Sequence, residues 1–281
     1  MTSFLRAFRS SSVGTILRPY LSTGANVVRY FLKLFFPNGT TKKQISRHGT
    51  YLMDYEFLFS DFVTWSQGHN SAFDFLIDSA PRHSCILDIG AHIGLATMPL
   101  ARGISPGGSV YAFEPADPNL FYLRKHLQAN KVTNVEVVDA LLGAEIAEEI
   151  PFLQHKNVSG MNSIALSSRS DKRGWITTTK NMITLDSFCS QHELSPDLIK
   201  IDVEGAEFGV LKGARETIQT HRPMIVLSVH PRQLLDVDSS QEQLQALIQE
   251  MQYTIFNPDG TPHQGRELFF AEYVLRPGLQ S

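Results

Sequence analysis

Short apolar runs bounded by turn residues alternate with longer segments of helical period over most of this chain. Cys85 to Ile89 (CILDI) reads as a buried strand, and so do Ser109 to Phe113, Val135 to Val138, Leu198 to Ile201 and Met224 to Val229. Between them the pattern predicts helices. One starts at about Gly94, with Pro99 expected to bend it or cap it late. A second runs from an Asp117 N-cap and Pro118 through His126 to Asn130. Others are expected over Thr184 to His192, Ala206 to about Thr220, and Gln241 to Met251. Alternation of this kind predicts an α/β fold with a doubly wound, mostly parallel sheet. Tyr253 to Phe256 and Leu268 to Leu275 are separated by the turn Pro258-Asp259-Gly260 and no helix, so they should pair antiparallel at one edge. Residues 145–183 are rich in Thr and Ser, with strand-like stretches.

The N-terminal part follows a different pattern. Lys43 to Phe57 reads as a hairpin with its turn near His48-Gly49, and Phe59 to Ser79 as a helix leading into the main domain. Residues 25–36 (ANVVRYFLKLFF) have helical length, with Arg29 and Lys33 four apart on one face. Such a helix could lie in a membrane interface; the alternative is an aromatic stripe packed on its own domain. The organisation expected is a basic extension over 1–40, a hairpin and helix over 41–80, and a main domain over 81–277.

Composition narrows the partners. The chain has 281 residues, 42% of them hydrophobic, enough for a sizeable core, and global disorder is excluded. The net charge of -3 is unevenly spread. Met1 to Met53 holds eight basic residues (Arg6, Arg9, Arg18, Arg29, Lys33, Lys42, Lys43, Arg47) and no acid, so the other 17 basic residues face all 28 acids. An acidic body does not grip phosphate backbones, so no nucleic-acid partner is expected; the basic leader could meet a membrane surface or an import receptor. Residues 1–24 have the Ser, Arg and Thr bias of an organellar transit peptide, or of a poorly ordered N-terminus. The expected location is cytoplasmic, or organellar under the first reading. No apolar run is long enough to span a bilayer. Cys85 and Cys189 have no CxxC spacing, which excludes a disulfide framework and a cysteine-rich zinc site, and the histidines give no metal spacing.

Four constellations carry chemistry. In Asp88-Ile-Gly90-Ala91-His92-Ile-Gly94 the glycines follow a buried strand and open a helix, which lets a ligand approach the backbone. The spacing is not the dinucleotide fingerprint, because His92 stands where a glycine should. Asp88 would repel a pyrophosphate and suit a cationic ligand bearing an ammonium and a sulfonium. The second is Phe113-Glu114-Pro115: an acid ending the next strand can accept from two ribose hydroxyls. The third is Asp139-Ala140, where the acid can accept from an adenine amino group and the small side chain leaves room for a ring; a turn cap is the alternative. The fourth is Lys200-Ile-Asp202-Val-Glu204-Gly205-Ala-Glu207, with more acids than a helix N-terminus needs. Ligands in open parallel sheets bind at the carboxyl ends of the strands, where Asp202 and His230 both fall.

Together these residues resemble S-adenosylmethionine-dependent methyltransferases of the Rossmann-like class, and within it the FkbM family. The motifs that carry the resemblance are 88–94, 113–115, ThrLeuAspSerPhe at 184–188 and 200–207, within a match over about Ser84 to Pro277. It implies S-adenosyl-L-methionine as cofactor and methyl transfer to a hydroxyl of a small molecule, often a sugar or polyketide. Cofactor-binding candidates are Asp88, Gly90, Ala91, His92, Gly94, Glu114, Pro115, Asp139, Ala140 and Asp202. Catalytic candidates are Asp202 or His230 as base, Glu204 or Glu207 orienting the acceptor, and Lys200. His92 stands where the family usually has Asn, and Pro99 interrupts the following helix. The competing readings are a nicotinamide-dependent oxidoreductase and a cofactor-binding protein without catalysis. The acceptor and the oligomeric state are not encoded in any of these motifs; the Gln154 to Lys180 stretch is expected to line the acceptor pocket.

Overall fold

A computed structural model describes residues 12–164, 173–265 and 267–278, with side chains from residue 24 onward. The central sheet has seven strands: β3 (Cys85–Ile89), β4 (Ser109–Phe113), β5 (Val135–Val138), β9 (Leu198–Ile201), β10 (Met224–Val229), β11 (Tyr253–Phe256) and β12 (Ala271–Pro277). Their order is β11-β12-β10-β9-β3-β4-β5. The five from β10 to β5 are parallel. The final pair is antiparallel as expected. It is β12, second from the edge, that runs against the others, because it inserts between β10 and β11.

Both faces of the sheet are covered, and the alternation of strand side chains shows it. Ile86, Leu198 and Val226 enter one apolar cluster, while their neighbours Leu87, Ile199, Ile225 and Leu227 enter the other. This is why these strands read as continuous apolar runs rather than alternating ones.

Several helices differ from expectation. The helix after β3 is α3 (Thr97–Gly103), three residues later than the glycine pattern suggests. Pro99 thereby falls in its first turn, where no backbone donor is needed. In α4 (Asp117–Ala129) the N-cap is Ala116 and Asp117 is the first helical residue. The helix expected over Ala206 to Thr220 is two, α6 (Glu207–Lys212) and α7 (Arg215–His221). They break at Gly213, which packs so closely on Gly143 that a Cβ would lie 2.0 Å from its carbonyl oxygen. Short α5 (Leu185–Gln191) is capped by Thr184, whose side chain accepts from the Ser187 amide. Helix α8 (Pro231–Leu235) had no signal of its own, and α9 (Gln241–Glu250) carries a Ser240/Gln243 capping box.

The Thr- and Ser-rich stretch builds a second sheet: β6 (Leu141–Leu142) parallel to β8 (Trp175–Ile183), and β7 (Ala147–His155) antiparallel to β8. N-terminally, α1 (Ser12–Phe35) begins well before residue 25, and the part of the leader over 1–11 lies outside the described residues. Strands β1 (Thr40–Gln44) and β2 (Thr50–Asp54) form the expected hairpin. It docks on α4: the Asp54 amide donates to His126 Nε2 (3.1 Å), and Asn130 bonds both the amide and the carbonyl of Leu52. Of the helix expected over Phe59 to Ser79 only α2 (Phe73–Ser79) forms, after a 3-10 turn at Gly68–Asn70. Here Phe62, Trp65 and Phe73 bury against the hairpin and β3 side of the core without needing a continuous helix.

Candidate active site

Because β3, β4, β9 and β10 are parallel, their carboxyl ends share one rim, and a cleft of about 240 Å³ opens there. The loop after β3 is held against its neighbours. The Gly90 and Ala91 amides donate to the Phe113 carbonyl, at 3.0 and 2.9 Å, and the Asp202 amide to the Ile89 carbonyl at 3.0 Å. Gly90 has φ +83°, and a Cβ on it would lie 1.8 Å from the Asp202 carbonyl oxygen. No other residue fits there. His92 follows with φ +53°, an uncommon conformation for a non-glycine residue.

Beneath the loop, Asp88 is fully buried and does not line the cleft. Its Oδ2 accepts from Thr97 Oγ1 at 2.6 Å, and its Oδ1 lies 3.1 Å from Lys200 Nζ. Lys200 Nζ also donates to the Gly90 carbonyl at 3.0 Å. Burial works against the charge on Lys200, but Asp88 and Asp202 outweigh it and raise its pKa. The pair therefore pins β3 to β9 under the glycine loop. The ligand contact expected of Asp88 is replaced by an internal salt bridge.

Glu114 lies at the end of β4, buried and lining the cleft. Oε2 accepts from the His92 amide at 2.8 Å; Oε1 accepts from the Ala116 amide and from Asn119 Nδ2, at 3.0 and 3.1 Å. Burial pushes its pKa up to about 7 despite these three donors. Asp139 does not line the cleft and pairs with Lys180 at 3.2 Å, because Lys180 on β8 collects both Asp139 and Asp117. Ala140 does line the cleft, with Leu141, Leu142, Phe113 and Phe152. Gly94, with φ +90°, faces Leu123 rather than the opening.

The other half of the cleft is acidic. His230 is buried, with Nδ1 donating to Glu207 Oε1 at 2.6 Å and Nε2 lying 3.7 Å from Asp202 Oδ1 and 3.8 Å from Glu204 Oε1. Burial opposes its charge, but Glu207, then Asp202 and Glu204, lift its pKa to about 9. These carboxylates favour the imidazolium at neutral pH, a form that holds its proton rather than accepting one. Glu207 is completely buried, accepts from the Gly205 amide as well, and does not reach the cleft. It holds the imidazole and does not orient an acceptor. Glu204, with φ +51°, takes a bond from Gln233 Nε2 at 3.2 Å. Asp202 is the most open of these acids, its side chain 33% exposed.

Much of the wall comes from outside the four motifs. Trp65, His69, Asn70 and Phe73 enter from the segment before β3, and Asn119 from α4. Ser159, Gly160, Asn162, Ser163 and Ile164, within the stretch expected to line the acceptor pocket, follow β7 over the cleft, and Ser163 Oγ donates to the Glu204 carbonyl at 2.9 Å. Glu272 enters from β12, paired in register with Ser228. It accepts from the Ala72 amide at 2.7 Å, and burial, helped by Asp202, pushes its pKa up to about 7. An acid inside the apolar strand AEYVL was the one available signal. Phe270 lies 5.3 Å from the His230 ring and stacks on His69.

Comparison with known proteins identifies the family. A family model described as the methyltransferase FkbM domain matches residues 88–255. A curated relative, Methyltransferase 1 of Beauveria bassiana, is 24% identical over 151 residues, 47% of this chain. The chain spans 59% of that relative's length. Among solved structures, methyltransferase FkbM from Methylobacillus flagellatus aligns at 21% identity and TM-score 0.43, over 68% of this chain and 43% of that one. An O-methyltransferase from Bacillus cereus in complex with SAH aligns at 15% identity and TM-score 0.43, over 89% and 96%.

Proposed function

The chain belongs to the FkbM methyltransferase family, and from that premise we propose that it uses S-adenosylmethionine to methylate a hydroxyl oxygen of a small molecule, sugar or glycan. The observation that carries this reading is the division of one cleft into an apolar half bounded by Glu114 and an acidic half around Asp202. The residues fit the cofactor. Glu114 spends three of its roughly four acceptor positions on protein donors, leaving capacity for a hydroxyl. Ala140, Leu141, Leu142, Phe113 and Phe152 make a slot of the kind a flat base occupies. Asp202 and Glu204 favour a cationic centre. When bound, S-adenosylmethionine supplies an electrophilic methyl carbon.

The protein's own part is position and proton. Lys200 and Asp88 fix the Gly90 loop against Asp202, so donor and acceptor sites keep one spacing. His230, already protonated, leaves Asp202 as the group that accepts the hydroxyl proton, while Glu204 orients the acceptor. Glu207 keeps the imidazolium in place through Nδ1.

The test is transfer of an isotope-labelled methyl group from the cofactor into extract metabolites, read by mass spectrometry. Labelled product with the wild type and none with Asp202→Asn supports the reading. Binding of S-adenosylhomocysteine without any labelled product would place the chain among cofactor-binding proteins instead.

A further inference from the structure

Helix α1 is mounted on the body by its charged face. Arg29 Nη1 lies 3.5 Å from Glu56 Oε1 and its guanidinium 5.7 Å over the Phe59 ring. Lys33 Nζ donates to Glu56 Oε2 at 2.7 Å and to the Tyr122 hydroxyl at 3.0 Å. The two cations are four apart, so one side of the helix is committed inward. The opposite side carries Val27, Val28, Phe31, Leu34 and Phe35, with Tyr30 at its margin, all exposed. Water-facing helices normally bury the apolar stripe and expose the charges. Here the reverse holds, and the exposed stripe is too contiguous to be scattered surface residues. In the sequence, Val13, Ile16, Leu17, Tyr20 and Leu21 continue the same spacing of three and four.

We propose that this face docks on an anionic lipid surface, with α1 lying in the plane of the interface. No described helix is long and apolar enough to cross a membrane. The side chains on offer, aromatic and aliphatic, are those that settle at the headgroup boundary. Charge selects the occupant. The first 53 residues hold eight basic side chains and no acid, while the remainder carries all 28 acids against 17 basic residues. An anionic surface attracts the end that bears the stripe and repels the body, so it orients the protein stripe-first. A second copy of the chain laid on the same face would bring two basic leaders together, which charge opposes.

The experiment is co-sedimentation of the full chain with phosphatidylcholine vesicles, with and without about a third phosphatidylglycerol. The wild type is expected to sediment with the anionic vesicles, much less with neutral ones, and to be released by high salt. Phe31→Ser combined with Phe35→Ser should lower partitioning on the order of tenfold or more. Its thermal midpoint should be unchanged, because both rings are already exposed. A wild type that stays in the supernatant, or a double variant that sediments equally, overturns the proposal. So does a concentration-dependent dimer, seen by analytical ultracentrifugation, that the double variant abolishes and vesicles do not compete with.

Discussion

Glu207→Gln removes the charge 2.6 Å from the His230 imidazole and keeps the shape of the side chain. Oε1 would still accept from the Gly205 amide, and the new amide nitrogen would take the place of an oxygen that has no partner. In the wild type the imidazole is lifted from 6.5 to about 9, and burial alone would have lowered it. The carboxylates must therefore supply the whole rise and more. At about 1.4 kcal/mol per unit, a rise of roughly 2.5 units is on the order of 3 kcal/mol of folding stability. The sign follows from proton binding. Between 6.5 and 9 the folded state holds a proton that the unfolded state has released. The contribution is fully present below 6.5 and is lost as pH rises through about 9. Glu114 and Glu272, at about 7, and His92, which burial lowers to about 4, act mainly below this window. Urea unfolding at pH 7 and pH 9 should therefore show the wild type losing about 2 kcal/mol and Glu207→Gln losing distinctly less, because only Asp202 and Glu204 then favour the imidazolium. Proton NMR of the His230 ring should show its titration falling by at least about one unit in the variant. A wild-type ring that titrates near 6.5, or an identical pH slope in both proteins, would refute the assignment of an imidazolium clamped by carboxylates.

Three further outcomes follow from the site. Glu114→Ala leaves the His92 and Ala116 amides and Asn119 without their acceptor, at about 1–3 kcal/mol for each buried group. Both S-adenosylhomocysteine affinity by calorimetry and the thermal midpoint should drop, and a stable variant with full affinity would remove Glu114 from the cofactor site. Gly90→Ala places a methyl 1.8 Å from the Asp202 carbonyl at a positive φ, so it should abolish binding and lower the midpoint by several degrees or more; differential scanning calorimetry decides this. Asp202→Asn should cut turnover by about 10²–10⁴-fold at saturating cofactor while changing affinity far less, and equal turnover would leave positioning alone as the mechanism.

A residue's role was legible in the sequence where neighbours along the chain set it, and hidden where distant segments do. The strands over 85–89, 109–113, 135–138, 198–201, 224–229 and 253–256 were legible because each is an apolar run closed by turn residues. Gly90 was legible because the turn out of a buried strand into a helix calls for a residue that tolerates positive φ and close backbone approach. Asp88 was not. Its partner Lys200 stands 112 positions later and reaches it only because β3 and β9 are neighbours. Asp139 failed in the same way, captured by Lys180 from a sheet whose pairing the Thr-rich pattern did not reveal. His230 was located correctly at the end of β10, but its protonation depends on Glu207, whose burial no spacing could show. The helix over Phe59 to Ser79 failed because its aromatic residues anchor turns to the hairpin as well as they would anchor a helix.

The charges around the cleft do not cancel, and this bears on what it can hold. Lys200 and His230 are the only positive groups among the described lining residues, and they are already shared among Asp88, Asp202, Glu204 and Glu207. Four acids against two cations leave an excess of negative charge before Glu114 and Glu272 are counted. Burial makes further ionisation costly, and for Glu272 Asp202 adds to that cost, so both carboxyls hold their protons up to about pH 7. A ligand that brings positive charge between Glu114 and Asp202 reverses this, because it favours the ionised form of every acid around it. Its binding must then release protons from Glu114 and Glu272, and by linkage its affinity must rise as pH passes through 7. An anionic dinucleotide in the same place would force both acids to stay protonated and would bind more weakly as pH rose. Charge in the cleft thus favours a cationic cofactor over an anionic dinucleotide, and the acids that add to this choice beyond the strand-end Glu114, which dinucleotide sites share, are Asp202 and Glu272.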